Sequence, residues 1–241
     1  FKATPLQVGE LLYFCTGGNR VVALDAEAGE LRWQFDPLID QAHLSQARYF
    51  TTGCRGVSYY EAPPDYRGEC PARILTNTTD SRLIALDALS GERCIQFGDQ
   101  GEVDLTTGMG NDPRISNFQT SPPGIVRGNA VVGGWVIDNR AVGPPSGVIR
   151  AFNALSGEFA WAWDMGRSGV YTEPLRGEVY TRGTPNVWSL FSADEELGLI
   201  YAPTGNETPD YYGAHRLEVS EQYASSVVAV DGETGAPRWS Y

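Results

Sequence analysis

One short pattern is written four times along the chain, and it restricts the fold more than any other feature. Its clearest copy runs from Ala151 to Trp161: a small residue, an apolar one, Asp or Asn, a turn, a glycine, then an aromatic ten residues after the start. The other copies run from Ala23 to Trp33, from Ala85 to Ile95 and from Ala229 to Trp239. A fixed internal pattern of this kind marks a repeat architecture, in which each copy is one supersecondary unit stacked on the next.

Each part of the pattern has a physical task. The residues before the acid, such as Val21-Val22-Ala23-Leu24 and Val227-Val228-Ala229-Val230, are rich in β-branched side chains and read as strands. Asp25, Asp87, Asn153 and Asp231 bond their own downstream backbone and start a turn. Gly29, Gly91, Gly157 and Gly235 supply the positive φ that such a turn requires. A second strand follows and carries Trp33, Trp161 and Trp239, each placed as a wedge between neighbouring sheets. Ile95 takes that place in the second copy, so its docking contact is expected to be weaker. Four unrelated hairpins would not share the acid, the glycine and the preceding strand.

The chain has 241 residues, 28 of them glycine and 15 proline, and shows no long helical periodicity. That composition suits an all-β protein with many turns. A net charge of −12 argues against nucleic acid and anionic membrane surfaces as partners. The apolar run Ala130–Ile137 is too short to cross a bilayer. The chain starts at Phe1 without an initiator Met or a signal peptide, and reads as a mature or excised segment. Of the four cysteines, Cys54 and Cys70 flank one loop and are expected to pair in an oxidising compartment, while Cys15 and Cys94 read equally as buried free thiols. No cysteines form a CxxC pair and only His43 and His215 offer imidazole, which argues against zinc. Gly108-Met109-Gly110 runs into Asn-Asp-Pro, so no dinucleotide fingerprint is present.

In order, four units of four short strands are predicted, at about 1–37, 53–98, 119–165 and 184–241. The second is expected to end on a strand Arg93–Phe97, and the third to hold a strand Ala130–Ile137. The turn acids are 62, 66 and 78 residues apart. Four antiparallel strands per unit, joined by long loops, is the signature of β-propeller blades. The expected fold is therefore an all-β propeller, with four blades here of an expected eight. Such an open half would expose apolar edges and could self-associate.

The pattern resembles the tryptophan-docking motif of the pyrroloquinoline quinone (PQQ) dehydrogenases, which are eight-bladed propellers. The resemblance extends to Thr4-Pro5-Leu6, Cys54-Arg55-Gly56-Val57-Ser58-Tyr59, Thr120-Ser121-Pro122-Pro123, Asp138-Asn139, Pro185-Asn186-Val187-Trp188 and Tyr223-Ala224-Ser225-Ser226, in order and over nearly the whole chain. These segments are similar to the membrane-bound glucose, quinate and shikimate dehydrogenase branch.

That resemblance implies roles. Trp188 matches the ring on which PQQ stacks, and a flat quinone suits an aromatic floor. Arg55 matches an arginine at the quinone oxygens, where fixed positive charge favours the reduced anionic form. Thr120 and Ser121 match groups that bond a PQQ carboxylate. Asp138 and Asn139, with Asn206 or its neighbour Glu207, match oxygen ligands of a Ca²⁺ or Mg²⁺ ion. The implied enzyme oxidises a sugar, polyol or cyclic hydroxy acid and passes electrons to a quinone or cytochrome acceptor. It implies a periplasmic setting, as the periplasmic domain of an inner-membrane protein. The family's catalytic aspartate is expected beyond Tyr241, so no residue here takes that role and the chain alone is expected to be inactive.

Departures narrow the expectation. Adjacent cysteines of the soluble alcohol dehydrogenases are replaced by Tyr49 and Phe50, and a histidine of glucose-oxidising members by Thr51, which puts glucose as substrate in doubt. The rival readings are a non-catalytic periplasmic propeller scaffold of the outer-membrane assembly type and a sugar-binding lectin propeller. The first needs no Arg55, Trp188 and Asp138 together. The second would repeat an aromatic pocket in every blade, whereas Trp135 and Trp188 are not repeated.

Overall fold

The computed structural model describes residues 2–39, 53–110, 117–136 and 142–241. Among these, the strands form four four-stranded antiparallel sheets and one two-stranded ribbon. The first blade is β1 (Leu6–Val8), β2 (Leu11–Cys15), β3 (Val21–Asp25) and β4 (Leu31–Phe35). The second is β5 (Ser58–Glu61), β6 (Ala72–Asn77), β7 (Arg82–Asp87) and β8 (Glu102–Asp104). In the third, β10 (Gly124–Val126), β11 (Asn129–Val132), β13 (Ile149–Asn153) and β14 (Phe159–Trp163) pair in that order, while β9 (Asn117–Phe118) and β12 (Trp135–Val136) form the ribbon. The fourth is β15 (Ser192–Asp194), β16 (Leu199–Pro203), β17 (Val227–Asp231) and β18 (Pro237–Ser240).

Two strand expectations fail for local reasons. The second blade closes on Glu102–Asp104, which pairs with Arg82–Ile84, and not on Arg93–Phe97. Arg93 touches Leu86 through a single bridge, after which the chain turns at Gly98 and Gly101, both at positive φ. The run from Ala130 is broken at Gly133-Gly134 into β11 and β12, because Gly134 bonds Val187 instead of a neighbouring strand.

The core lies between blades, not within them. Strand residues alternate between two faces, so one central strand feeds two cores. In β7, Ile84 and Leu86 pack toward the first blade while Leu83 and Ala85 pack toward the third, and all four are fully buried. In the third blade, Ala130, Val132 and Phe152 face back to the second, and Val131, Ile149 and Ala151 face forward to the fourth.

The four turns are built alike. The Oδ1 atoms of Asp25, Asp87, Asn153 and Asp231 each accept two backbone N–H groups, two and three residues on, at 2.8–3.1 Å. Trp33 lies on Gly91 of the second blade and donates from Nε1 to Ala88 O at 3.0 Å. Trp161 lies on Gly235 of the fourth and donates to Gly232 O at 2.9 Å. A Cβ on either glycine would sit 2.5 Å from the indole, and both glycines hold positive φ, so no other residue fits. Ile95 does not dock; it is exposed. Buried Arg73 takes over that contact: its Nη1 reaches Ala154 O (3.3 Å) and Leu155 O (2.8 Å) of the third blade. Its other nitrogens bond Cys70 O and Glu69 O on its own side.

The turn acids carry a pH dependence. Burial would raise the pKa of Asp231, but the Arg238 guanidinium and the Thr234 hydroxyl and N–H hold it down at about 2. The Ala28 N–H and the Arg32 guanidinium lower Asp25 as well. A carboxylate depressed on folding stabilises the chain above its ordinary pKa of about 4 and loses that contribution as pH falls toward 2. Asp231→Asn is expected to keep the turn, since Asn153 makes the same bonds, and to flatten the acid limb of stability. Urea midpoints measured between about pH 2 and pH 6 check this; an unchanged slope would refute it.

The cysteines pair differently from the expectation. Cys15 joins Cys54 and Cys70 joins Cys94, with no free thiol. The partner of Cys54 lies on another blade, out of reach of an argument from one loop. Loops of 39 and 24 residues are closed, and chain entropy makes these worth about 4 and about 3.5 kcal/mol.

Candidate functional site

Three blades place the residues of one cleft. The segment before β5 carries Arg55, the segment before β10 carries Thr120 and Ser121, and the segment before β15 carries Trp188. The Arg55 guanidinium carbon lies 5.0 Å from the centre of the Trp188 ring. Trp188 is 41% exposed, so part of the side chain remains open to solvent. Arg55 has no carboxylate partner among the described residues, although the chain is strongly acidic. A half-buried cation beside a part-exposed aromatic ring suits a flat anionic molecule.

The floor is anchored from below. The Ser121 hydroxyl donates to Trp188 O at 2.8 Å, and Asn77 Nδ2 donates to Ser121 O at 2.8 Å. One run of bonds thus links the second, third and fourth blades under the indole. Gly134 N–H donates to Val187 O, and Gly205 N–H to Asn186 O at 2.7 Å. A Cβ at Gly147 would meet Pro185 O at 1.9 Å, so the backbone before Trp188 threads through a space only glycine leaves. Gly205 itself lies against the indole, since a Cβ on it would lie 3.1 Å from Trp188 Nε1.

Arg55, Thr120, Ser121 and Trp188 are therefore brought together, and Asn206 follows Gly205, which packs on the indole. The Ser121 proton is engaged by Trp188 O, which leaves the half-buried Thr120 hydroxyl as the side chain that can donate to a carboxylate. Asp138 and Asn139 lie outside the described residues. Asn206 donates from Nδ2 to Asp210 O at 3.4 Å, and its Oδ1 takes no donor among the described residues. Glu207 is buried and accepts from the Leu217 N–H (2.7 Å) and the Ser220 hydroxyl, capping the short helix Glu218–Tyr223. Both bonds go to Glu207 Oε2, so Asn206 Oδ1 and Glu207 Oε1 each remain without a donor among the described residues. Among the described residues no group of three or more His, Cys, Asp or Glu side chains is assembled for a metal. Asn77 escapes a reading of the sequence and Asn186 enters it only as a neighbour of Trp188: each is buried with a side-chain oxygen that takes no donor among the described residues, and neither stands in the repeated pattern.

A family model described as the β-propeller domain of PQQ glucose/ethanol/alcohol dehydrogenases matches residues 1–241. The chain is 40% identical over 241 residues to the glycerol dehydrogenase large subunit of Gluconobacter oxydans (strain 621H), covering 100% of this chain and 32% of that one. It is 38% identical over 245 residues to the quinoprotein glucose dehydrogenase of Escherichia coli (strain K12), covering 100% and 30%. Among solved structures, the quinohemoprotein alcohol dehydrogenase of Comamonas testosteroni superposes with a TM-score of 0.74 at 23% identity, over 100% of this chain and 34% of that one, which shows the shared fold. The chain spans about a third of the length of the curated relatives it matches.

Proposed function

The chain belongs to the β-propeller domain family of PQQ glucose/ethanol/alcohol dehydrogenases, and from that premise we propose that it supplies one wall of the cofactor site in an enzyme oxidising a polyol, sugar or cyclic hydroxy acid. The observation that carries the reading is the Arg55 guanidinium 5.0 Å over the half-open Trp188 ring. Bound PQQ supplies an ortho-quinone that takes two electrons from the alcohol. Trp188 gives the tricycle a flat apolar support, and the Ser121 hydroxyl keeps that support from tilting. Arg55 puts a fixed positive charge where negative charge grows, and the Thr120 hydroxyl donates to a carboxylate. Asp138, Asn139 and Asn206 offer hard oxygen donors for Ca²⁺ or Mg²⁺.

Electrons leave to a quinone or cytochrome acceptor in this reading. The two disulfides favour an oxidising compartment, in keeping with a periplasmic site. A scaffold propeller has no use for an arginine that lacks a carboxylate partner among the described residues and lies over a part-exposed indole. Equilibrium titration with PQQ, with and without Ca²⁺, tests the proposal through quinone absorbance and tryptophan fluorescence. Saturable binding strengthened by Ca²⁺ is expected; wild-type protein that does not bind PQQ would reject it.

A further inference from the structure

Arg55 projects from a segment that has no strand of its own: residues 53–57 lie outside every sheet. Two backbone bonds hold it, from Arg55 N–H to Thr120 O (2.9 Å) and from Thr4 N–H to Arg55 O (2.8 Å). The third restraint is covalent. Cys54, adjacent to Arg55, is joined to Cys15 at the end of β2, and both half-cystines are buried. Both sulfurs rest against Gly56 O, at 3.4 and 3.3 Å, so the crosslink packs on each side of the arginine.

We propose that the Cys15–Cys54 disulfide is a positioning element of the cofactor site: it pins the Arg55 backbone to the first blade so that the guanidinium lies over Trp188. The inference rests on the reading of Arg55 and Trp188 as PQQ contacts. An arginine side chain has several rotatable bonds, and its head stays over one ring only if its Cα is fixed. Displacement of its Cα by about 1 Å is enough to weaken a stacked contact of this kind. The other disulfide supplies a matched comparison. Cys70–Cys94 joins the residues flanking β6 and β7 within the second blade, and it packs in the core shared with the third. The two crosslinks close loops of similar length, 39 and 24 residues, so their removal destabilises the chain to a similar degree.

The experiment compares Cys15→Ala/Cys54→Ala with Cys70→Ala/Cys94→Ala in the whole protein, with two readouts. In the absence of PQQ, the Trp188 indole N–H resonance, assigned with Trp188→Phe, reports whether Arg55 lies over the ring. It is expected to move in Arg55→Ala and in the Cys15/Cys54 variant, in the same direction, and to stay in place in the Cys70/Cys94 variant. In the second readout, PQQ affinity is expected to fall at least tenfold in the Cys15/Cys54 variant and less than twofold in the control. In an Arg55→Ala background, removal of Cys15–Cys54 is expected to cause no further loss. The serine pair at positions 15 and 54 carries the same test if the alanine pair does not accumulate in folded form. Equal effects of the two disulfides on the indole resonance, or an independent loss in the Arg55→Ala background, would overturn the proposal. Failure of the wild type to bind PQQ would reject the cofactor assignment instead, and leaves the resonance test in force.

Discussion

Trp188→Ala is expected to lower PQQ affinity roughly a hundredfold while leaving the fold intact. A planar tricycle laid on the indole removes on the order of 100 Å² of apolar surface from water, about 2.5 kcal/mol, and aromatic stacking adds about 1 kcal/mol. Truncation to alanine loses most of both, and each 1.4 kcal/mol is about a factor of ten. The ring is 41% exposed, so stability changes far less than for a core tryptophan. Trp188→Phe keeps a smaller flat face and should lose about tenfold or less. Titration of the three proteins, with urea midpoints measured beside it, checks both statements. A near-wild-type dissociation constant in Trp188→Ala would mean that the ring is not the floor. An equal loss of stability and affinity would mean that it is only a packing residue.

The effect depends on where Trp188 is held, and that was only partly legible in the sequence. The pattern of Asp or Asn, glycine and tryptophan specified the turns and the docking, because each element acts on its own neighbours or on the equivalent turn of the next blade. The motif around Trp188 marked the ring itself. The bonds beneath it were hidden, because Asn77 and Ser121 lie 44 residues apart and meet only when the second and third blades are stacked. The same holds for Cys15 and Cys54, 39 residues apart on different blades. The misplaced fourth strand of the second blade has a similar origin. Its apolar residues Cys94 and Phe97 are buried by a disulfide and a turn, three residues apart, so their burial needs no strand.

The clearest case of hidden compensation is Arg73, and it yields the second large effect. Trp161→Ala is expected to cost about 4 kcal/mol, the usual loss for a buried tryptophan, because Trp161 is 1% exposed between the third and fourth blades. Ile95 occupies the same place in its own copy but is 54% exposed, so Ile95→Ala should cost well under about 1 kcal/mol. Between the second and third blades, beside their shared apolar core, the docking contact is made by Arg73. Its guanidinium is buried among neutral carbonyls, which carries a desolvation cost, yet it bonds Glu69, Cys70, Ala154 and Leu155 at once. Arg73→Ala leaves those oxygens without their donor and opens a cavity at the interface, for a net loss of about 3 kcal/mol. Arg73→Lys should recover little, because a single ammonium cannot span carbonyls on two blades. Urea denaturation of the four variants decides the matter. If Arg73→Ala costs no more than Ile95→Ala, the guanidinium is not the docking element, and the packing of Gly98 and Val103 on Gly157 must hold the two blades together.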